Sequence, residues 1–217
     1  MSLRTPFVCF ATLAVLLVAF ATAEDPETGF VPLVHPGATE LAETFDFVAI
    51  PPGSVRLLDG EIRIAGEPRG YLATRAKYGN FTLRFEWRYD VSELAADSPE
   101  ADGFEANGGV LLRIDGPAKV WPTALQVQLA PDDPGDLIAL DGTARTSRDT
   151  EALRDAIRSP GHWNEAEITL KGDQISSRLN GAEVASSRYP ANSGPIGFQS
   201  QGTSMAFRRI RIRPETP

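Results

Sequence analysis

The chain has 217 residues, a formal charge of −8 and one cysteine, Cys9. An acidic surface argues against a nucleic-acid partner, whose phosphates demand a basic footprint. It also argues against an anionic substrate wherever local patches do not override the net charge.

The first residues, MSLRTPFVCFATLAVLLVAFATAEDP, read as a leader. Arg4 supplies a positive start, residues 7–20 an apolar run, and Ala21-Thr22-Ala23 an A-x-A cleavage site. Residues 1–23 are therefore expected to be a signal peptide, cut before Glu24. The apolar run falls short of the roughly 20 residues a membrane span needs. An uncleaved anchor is the alternative. Residues 24–217 then form a single exported domain, secreted or periplasmic, with no transmembrane span after cleavage. Because Cys9 lies in the leader, that domain has no disulfide and no thiol nucleophile.

After a Pro- and Gly-rich lead-in, residues 55–66 (VRLLDGEIRIAG) predict a hairpin turning at Asp59-Gly60. Residues 70–79 lead into a long strand at 80–90. In FTLRFEWRYD, the odd positions Phe81, Leu83, Phe85, Trp87 and Tyr89 make a core face, and Thr82, Arg84, Glu86 and Arg88 make a polar one. The acidic stretch 92–109 contains Glu93, Asp97, Glu100, Asp102 and Glu105. It reads as a solvated loop. A Ca²⁺ site is its functional alternative, without EF-hand spacing to support it.

Strands follow at 109–116 and 123–131. Residues 149–158 predict one short helix, with Asp149 or Thr150 as N-cap, Leu153 and Ile157 one turn apart, and Pro160 as the stop. Residues 163–187 predict a three-stranded meander through Lys171-Gly172-Asp173 and Asn180-Gly181, and two closing strands complete the chain. Many short strands, Gly/Pro turns and one helix imply an all-β jelly-roll sandwich of two antiparallel sheets.

If the strands at 82–88, 109–114 and 124–129 share one sheet, Glu86, Arg88, Arg113, Gln126 and Gln128 form a single polar stripe. Planar hydrogen-bonding groups of this kind suit sugar hydroxyls or a carbonyl. An ordinary solvated face is equally compatible with the alternation. Trp121 and Trp163 could stack on a sugar ring, although aromatics at strand ends more often pack. His35 and His162 share no zinc-ligand spacing, so no metal is assigned. No G-x-S-x-G elbow or phosphate loop is present.

The ordered segments GYLATRAKYGNFTLRFEWRY, NGGVLLR, ALQVQL, GDLIAL, HWNEAEITLKGDQISSRLNG, GPIGFQSQG and FRRIRI resemble the 3-keto-disaccharide hydrolase family over nearly the whole mature chain. The resemblance implies a concanavalin A-like jelly roll with a concave sheet. It also implies cleavage of 3-keto-disaccharides or 3-keto-glucosides, by hydrolysis or by elimination and hydration. A C3 ketone acidifies the C2 proton, so such an enzyme needs a base and a stabiliser for the enolate. Glu86 is the candidate base, with Arg88 and Arg113 as candidate stabilisers. Asn107, Gln126, Gln128, Gln199 and Trp121 are candidates to hold the sugar.

Three positions depart from the family pattern. Gln126 stands where it usually has Glu, Asn107-Gly108-Gly109 replaces Asn-Ser-Gly, and Gln201 stands where His is frequent. Replacing Glu by Gln removes an ionisable group and keeps the shape. A non-catalytic carbohydrate-binding module is therefore the alternative function, and a purely structural envelope domain a third. No cofactor is assigned, and a divalent metal stays open without ligand spacing to support it.

Overall fold

The computed structural model describes residues 27–91, 106–143, 146–190 and 192–216. The expected leader and most of the acidic loop lie outside the described residues. Among the described residues, no helix is long and apolar enough to cross a membrane.

The elements run β1 (Val31–Pro32), β2 (Phe45–Val48), β3 (Val55–Leu58), β4 (Glu61–Ile64), β5 (Gly70–Thr74), β6 (Phe81–Tyr89), β7 (Gly109–Asp115), β8 (Thr123–Gln128), β9 (Leu137–Ala139) and β10 (Thr146–Arg148). Helix α1 (Thr150–Ala156) follows, then β11 (Asn164–Lys171), β12 (Gln174–Leu179), β13 (Ala182–Arg188), β14 (Gly197–Ser200) and β15 (Met205–Pro214). They build two antiparallel sheets. One has nine strands in the order β10-β13-β12-β11-β6-β15-β4-β3, with β1 added on β15, and the other has six in the order β2-β5-β14-β7-β8-β9. This is the two-sheet jelly roll that the strand pattern predicts.

Local chemistry accounts for the turns. Asp59 and Gly60 both adopt positive φ, 51° and 78°, and so do Asn180 and Gly181, 46° and 91°. Two successive left-handed residues form the turn whose twist matches a hairpin. The first pair joins β3 to β4 and the second β12 to β13. Asp149 caps α1 by accepting from the backbone N–H groups of Glu151 and Ala152, and the helix buries Leu153.

The core lies between the sheets. The odd residues of β6 are all buried in it, as the alternation predicts. Phe198 of β14 packs edge-on against Phe45, Phe85 and Phe207, with ring centroids 6.2, 6.3 and 5.2 Å away. These contacts tie the middle of one sheet to the middle of the other. A second, smaller apolar cluster of Tyr71, Ala73, Leu111, Ile114 and Ala124 lies on the opposite face of the six-stranded sheet. That sheet therefore carries packed apolar residues on both faces, which is why β5 is buried at every position and shows no period-two pattern.

Candidate functional site

The structure does not assemble one polar stripe. Glu86 and Arg88 belong to β6 in the nine-stranded sheet, whereas Arg113, Gln126, Gln128 and Gln199 belong to the six-stranded sheet. Because β6 buries its odd residues, Glu86 and Arg88 point away from the other sheet, with the core between the two groups. The expectation that these residues share a face is corrected here. Alternation states which residues share a face of their own strand, but not which sheet the strand joins.

Glu86 is enclosed in an arginine lattice. Its Oε2 accepts from Nε of Arg208 and its Oε1 from Nη1 of Arg209, each at 2.7 Å. Arg88 lies over the Trp163 ring at 4.7 Å and reaches Glu61 at 3.7 Å. Both carboxylate oxygens of Glu86 are thus engaged by cations, in a network that also engages Arg88.

Arg113 leaves the alternation altogether. It sits at a bulge in the pairing of β7 with β8, with φ of 53°, and its side chain is fully buried. Its Nη1 donates to the carbonyls of Tyr189 and Pro190 at 3.3 and 2.8 Å, and its Nη2 to those of Gly79 and Gly172 at 3.2 and 2.7 Å. Those carbonyls border strands of the nine-stranded sheet, so the guanidinium clips the two sheets together at one end. Burial pulls its pKa down, opposed by Asp173. The bulge that turns Arg113 inward leaves Ile114 in the outer apolar cluster.

The remaining candidates form a real neighbourhood on the outward face of the six-stranded sheet. Leu111 pairs with Gln126, Gly109 with Gln128, and Gln199 with Tyr71. Gln199 Nε2 donates to Gln126 Oε1 at 3.5 Å, and Gln126 Nε2 donates to Gln128 Oε1. The three amides therefore form one directed row across β14 and β8, over β7. Gly109 makes the row possible, since a Cβ there would stand 2.4 Å from Gln199 Oε1 and 2.8 Å from the Val127 carbonyl. Gln126 and Gln199 are almost fully buried, and Gln199 Oε1 has no hydrogen-bond partner among the described residues.

Asn107 precedes Gly109 at the Gln128 end of the row. Its backbone N–H donates to Thr203 Oγ1 at 3.1 Å, and its Oδ1 is buried without a partner among the described residues. Near this end, Tyr89 of the other sheet donates its hydroxyl to the Leu129 carbonyl. Burial, with Asp133 and Asp132 nearby, pushes the Tyr89 pKa far up, so it remains a donor. Trp121 is 42 % exposed in the 116–122 connection, outside the hydrogen-bonded row of amides. The same connection brings the Lys119 backbone to the hydroxyl of Tyr71, whose pKa burial raises.

The surroundings of the row are aromatic, aliphatic or glycine: Tyr71, Ala73, Leu111, Ala124 and Gly197. Among the described residues, such a site offers neutral donors and acceptors and two unsatisfied oxygens, and its hydrogen-bonded row holds no carboxylate or imidazole to move a proton. Among the described residues, no three His, Cys, Asp or Glu side chains cluster as metal ligands. Sequence reasoning missed Gly109, Thr203 and the Arg208–Arg209 pair. The run Asn107-Gly108-Gly109 ahead of an apolar strand is the signal that could have marked the first.

A family model for the 3-keto-alpha-glucoside-1,2-lyase-like domain matches residues 36–213, most of the chain. The chain belongs to this family. It is the family that the ordered segments resemble. No curated protein matches the chain. Among solved structures, two Parabacteroides distasonis proteins provisionally described as glycosyl hydrolases share the lyase-like chain's fold. One is 18 % identical with a TM-score of 0.62, covering 90 % of this chain and 98 % of its own. The other is 17 % identical with a TM-score of 0.60, covering 86 % and 99 %. A β-1,3-1,4-glucanase from a mouse hindgut metagenome is 8 % identical with a TM-score of 0.52, covering 86 % and 98 %. These likenesses establish the jelly-roll fold that the lyase-like domain adopts.

Proposed function

We propose that the outward face of the six-stranded sheet binds a neutral saccharide, a 3-keto-glucoside or its parent glucoside, through Gln126, Gln128, Gln199 and Asn107. The carrying observation is the amide row with the unpartnered, buried oxygens of Gln199 and Asn107. A buried acceptor without a donor is costly, and a sugar hydroxyl supplies the donor. Saccharides present several hydroxyls at fixed spacing, which suits amides that both donate and accept. Apolar residues packed around the row, Tyr71 and Leu111 among them, lower the local dielectric and strengthen its hydrogen bonds. Glu86, Arg88 and Arg113 stand outside this site, and Trp121 takes no part in the row.

Family membership favours a second reading, cleavage of the 3-keto-glycoside itself. That chemistry needs a base for the C2 proton, and the amide row contains none. Titration calorimetry with 3-keto-disaccharides and their unoxidised parents, alongside an assay for released reducing sugar, separates the two. Saturable binding without release supports a sugar-recognition domain. Release from the keto forms alone establishes the lyase or hydrolase reading, and no binding at all overturns both. Export through cleavage after Ala23 is also proposed, from the leader pattern. The N-terminal mass of the secreted product tests it.

A further inference from the structure

The outward face of the nine-stranded sheet concentrates positive charge in a chain whose formal charge is −8. Its register sets Arg56, Arg63, Ala206 and Arg88 side by side on one row across β3, β4, β15 and β6. Trp163 borders the row, with the guanidinium of Arg88 4.7 Å and that of Arg208 3.9 Å from its ring centroid. Arg208 and Arg209 flank the row. Four arginines, Arg63, Arg88, Arg208 and Arg209, thus surround two glutamates, Glu61 and Glu86, and Arg56 lies beside Arg63 as a fifth cation.

The glutamates do not neutralise this cluster. Glu86 is engaged by Arg208 and Arg209. Glu61 lies 3.2 Å from Arg63, 3.7 Å from Arg88 and 4.0 Å from Arg208. Arg56 has no ion-pair partner among the described residues, and the buried Nε atoms of Arg63 and Arg88 have no acceptor. Like charges on adjacent strands destabilise a sheet, so sheet stability alone does not explain arginines paired across β3 and β4. Guanidinium forks match planar carboxylates.

We propose that this face binds an acidic polysaccharide through the carboxylates of its uronate units, with Arg56, Arg63 and Arg88 as the contacts. Arg63 and Arg88 are two strands apart, about 10 Å, with the small Ala206 between them. That separation suits charges carried on alternate sugar units. Glu61 and Glu86, interleaved among the arginines, disfavour the denser charge of a phosphodiester backbone or an anionic bilayer. Trp163 holds two of the guanidiniums in place by cation–π contact. The surface is on a different sheet from the amide row and does not depend on it.

The test is equilibrium binding of the purified full chain to polygalacturonate, with neutral galactan and phosphatidylglycerol vesicles as comparisons. Saturable binding to polygalacturonate that weakens as salt rises is expected, with little binding to galactan. Arg56→Gln and Arg63→Gln should each weaken it about fivefold, the effect of about 1 kcal/mol per contact, and flatten the salt dependence. Arg188→Gln, at the far end of the same sheet beside Asp173, should leave it unchanged. The proposal is overturned by no binding at low salt, by equal binding to galactan, or by tighter binding to the vesicles. It is also overturned if Arg188→Gln weakens binding as much as Arg56→Gln does.

Discussion

Arg113 is the residue for which a catalytic role and a structural role forecast opposite results. Arg113→Met keeps most of the buried stem and deletes the guanidinium. The carbonyls of Gly79, Gly172, Tyr189 and Pro190 then lose a donor. The two short bonds, 2.7 Å to Gly172 and 2.8 Å to Pro190, are charge-assisted and contribute about 1.5–3 kcal/mol each. The two longer ones contribute less. Removing a buried charge that is bonded only to carbonyls offsets part of the loss. The expected net destabilisation is about 3 kcal/mol, which lowers Tm by about 6–12 °C for a domain near this size. Arg113→Lys retains the charge, but one ammonium cannot span carbonyls on both sides, so it should recover less than half of the loss. Urea unfolding followed by tryptophan fluorescence measures the stability. Calorimetry on the folded variant measures sugar affinity, which should be unchanged. A variant within about 0.5 kcal/mol of the parent that has lost sugar binding or turnover would refute the reasoning and return Arg113 to the site.

Three further outcomes are expected. Gly109→Ala places a Cβ against the Val127 carbonyl and Gln199 Oε1; it should cost about 1–3 kcal/mol and displace Gln199, weakening saccharide binding more than tenfold by calorimetry. Glu86→Gln breaks the pairs to Arg208 and Arg209 and should destabilise by about 1–3 kcal/mol in urea, yet leave saccharide affinity unchanged. Loss of affinity in a folded Glu86→Gln variant would place Glu86 in the site after all. The third concerns acid. Hydrogen bonds from Arg211, with Arg84 beside it, hold the Glu27 carboxyl below the usual range. A depressed carboxylate pKa contributes stability above the unfolded pKa, about 4.3, and loses it as pH falls through the folded value. Glu27→Gln should therefore cost up to about 0.5 kcal/mol at neutral pH, small because Glu27 is substantially exposed. The difference from the parent should shrink as pH falls below the unfolded pKa and vanish once the folded carboxyl is protonated, as paired urea titrations would show.

Local chemistry was legible in the sequence. Asp59-Gly60 and Asn180-Gly181 announce their turns because those residue types tolerate positive φ. Asp149 announces α1 because its side chain replaces missing backbone acceptors. The odd residues of FTLRFEWRYD announce a core face because strand geometry repeats every two residues. Two-sheet architecture follows from many such strands, each needing an apolar partner surface. Gln126, Gln128 and Gln199 were named from alternation and family resemblance together, and the structure brings their amides into one hydrogen-bonded row.

Tertiary structure alone decided which polar faces meet. Strands β6 and β7 are neighbours in the chain but belong to different sheets, so Glu86 and Gln126 end on opposite outer surfaces with the core between them. Nothing in a period-two pattern encodes that choice, because the pattern is local and sheet membership is a long-range pairing. Arg113 shows the same limit within one strand. Its position reads as the outward face until the bulge at φ 53° turns it inward, where four backbone carbonyls from the opposite layer hold it. Those carbonyls come from segments 34 to 77 residues away, and only the packed sandwich brings them to one guanidinium.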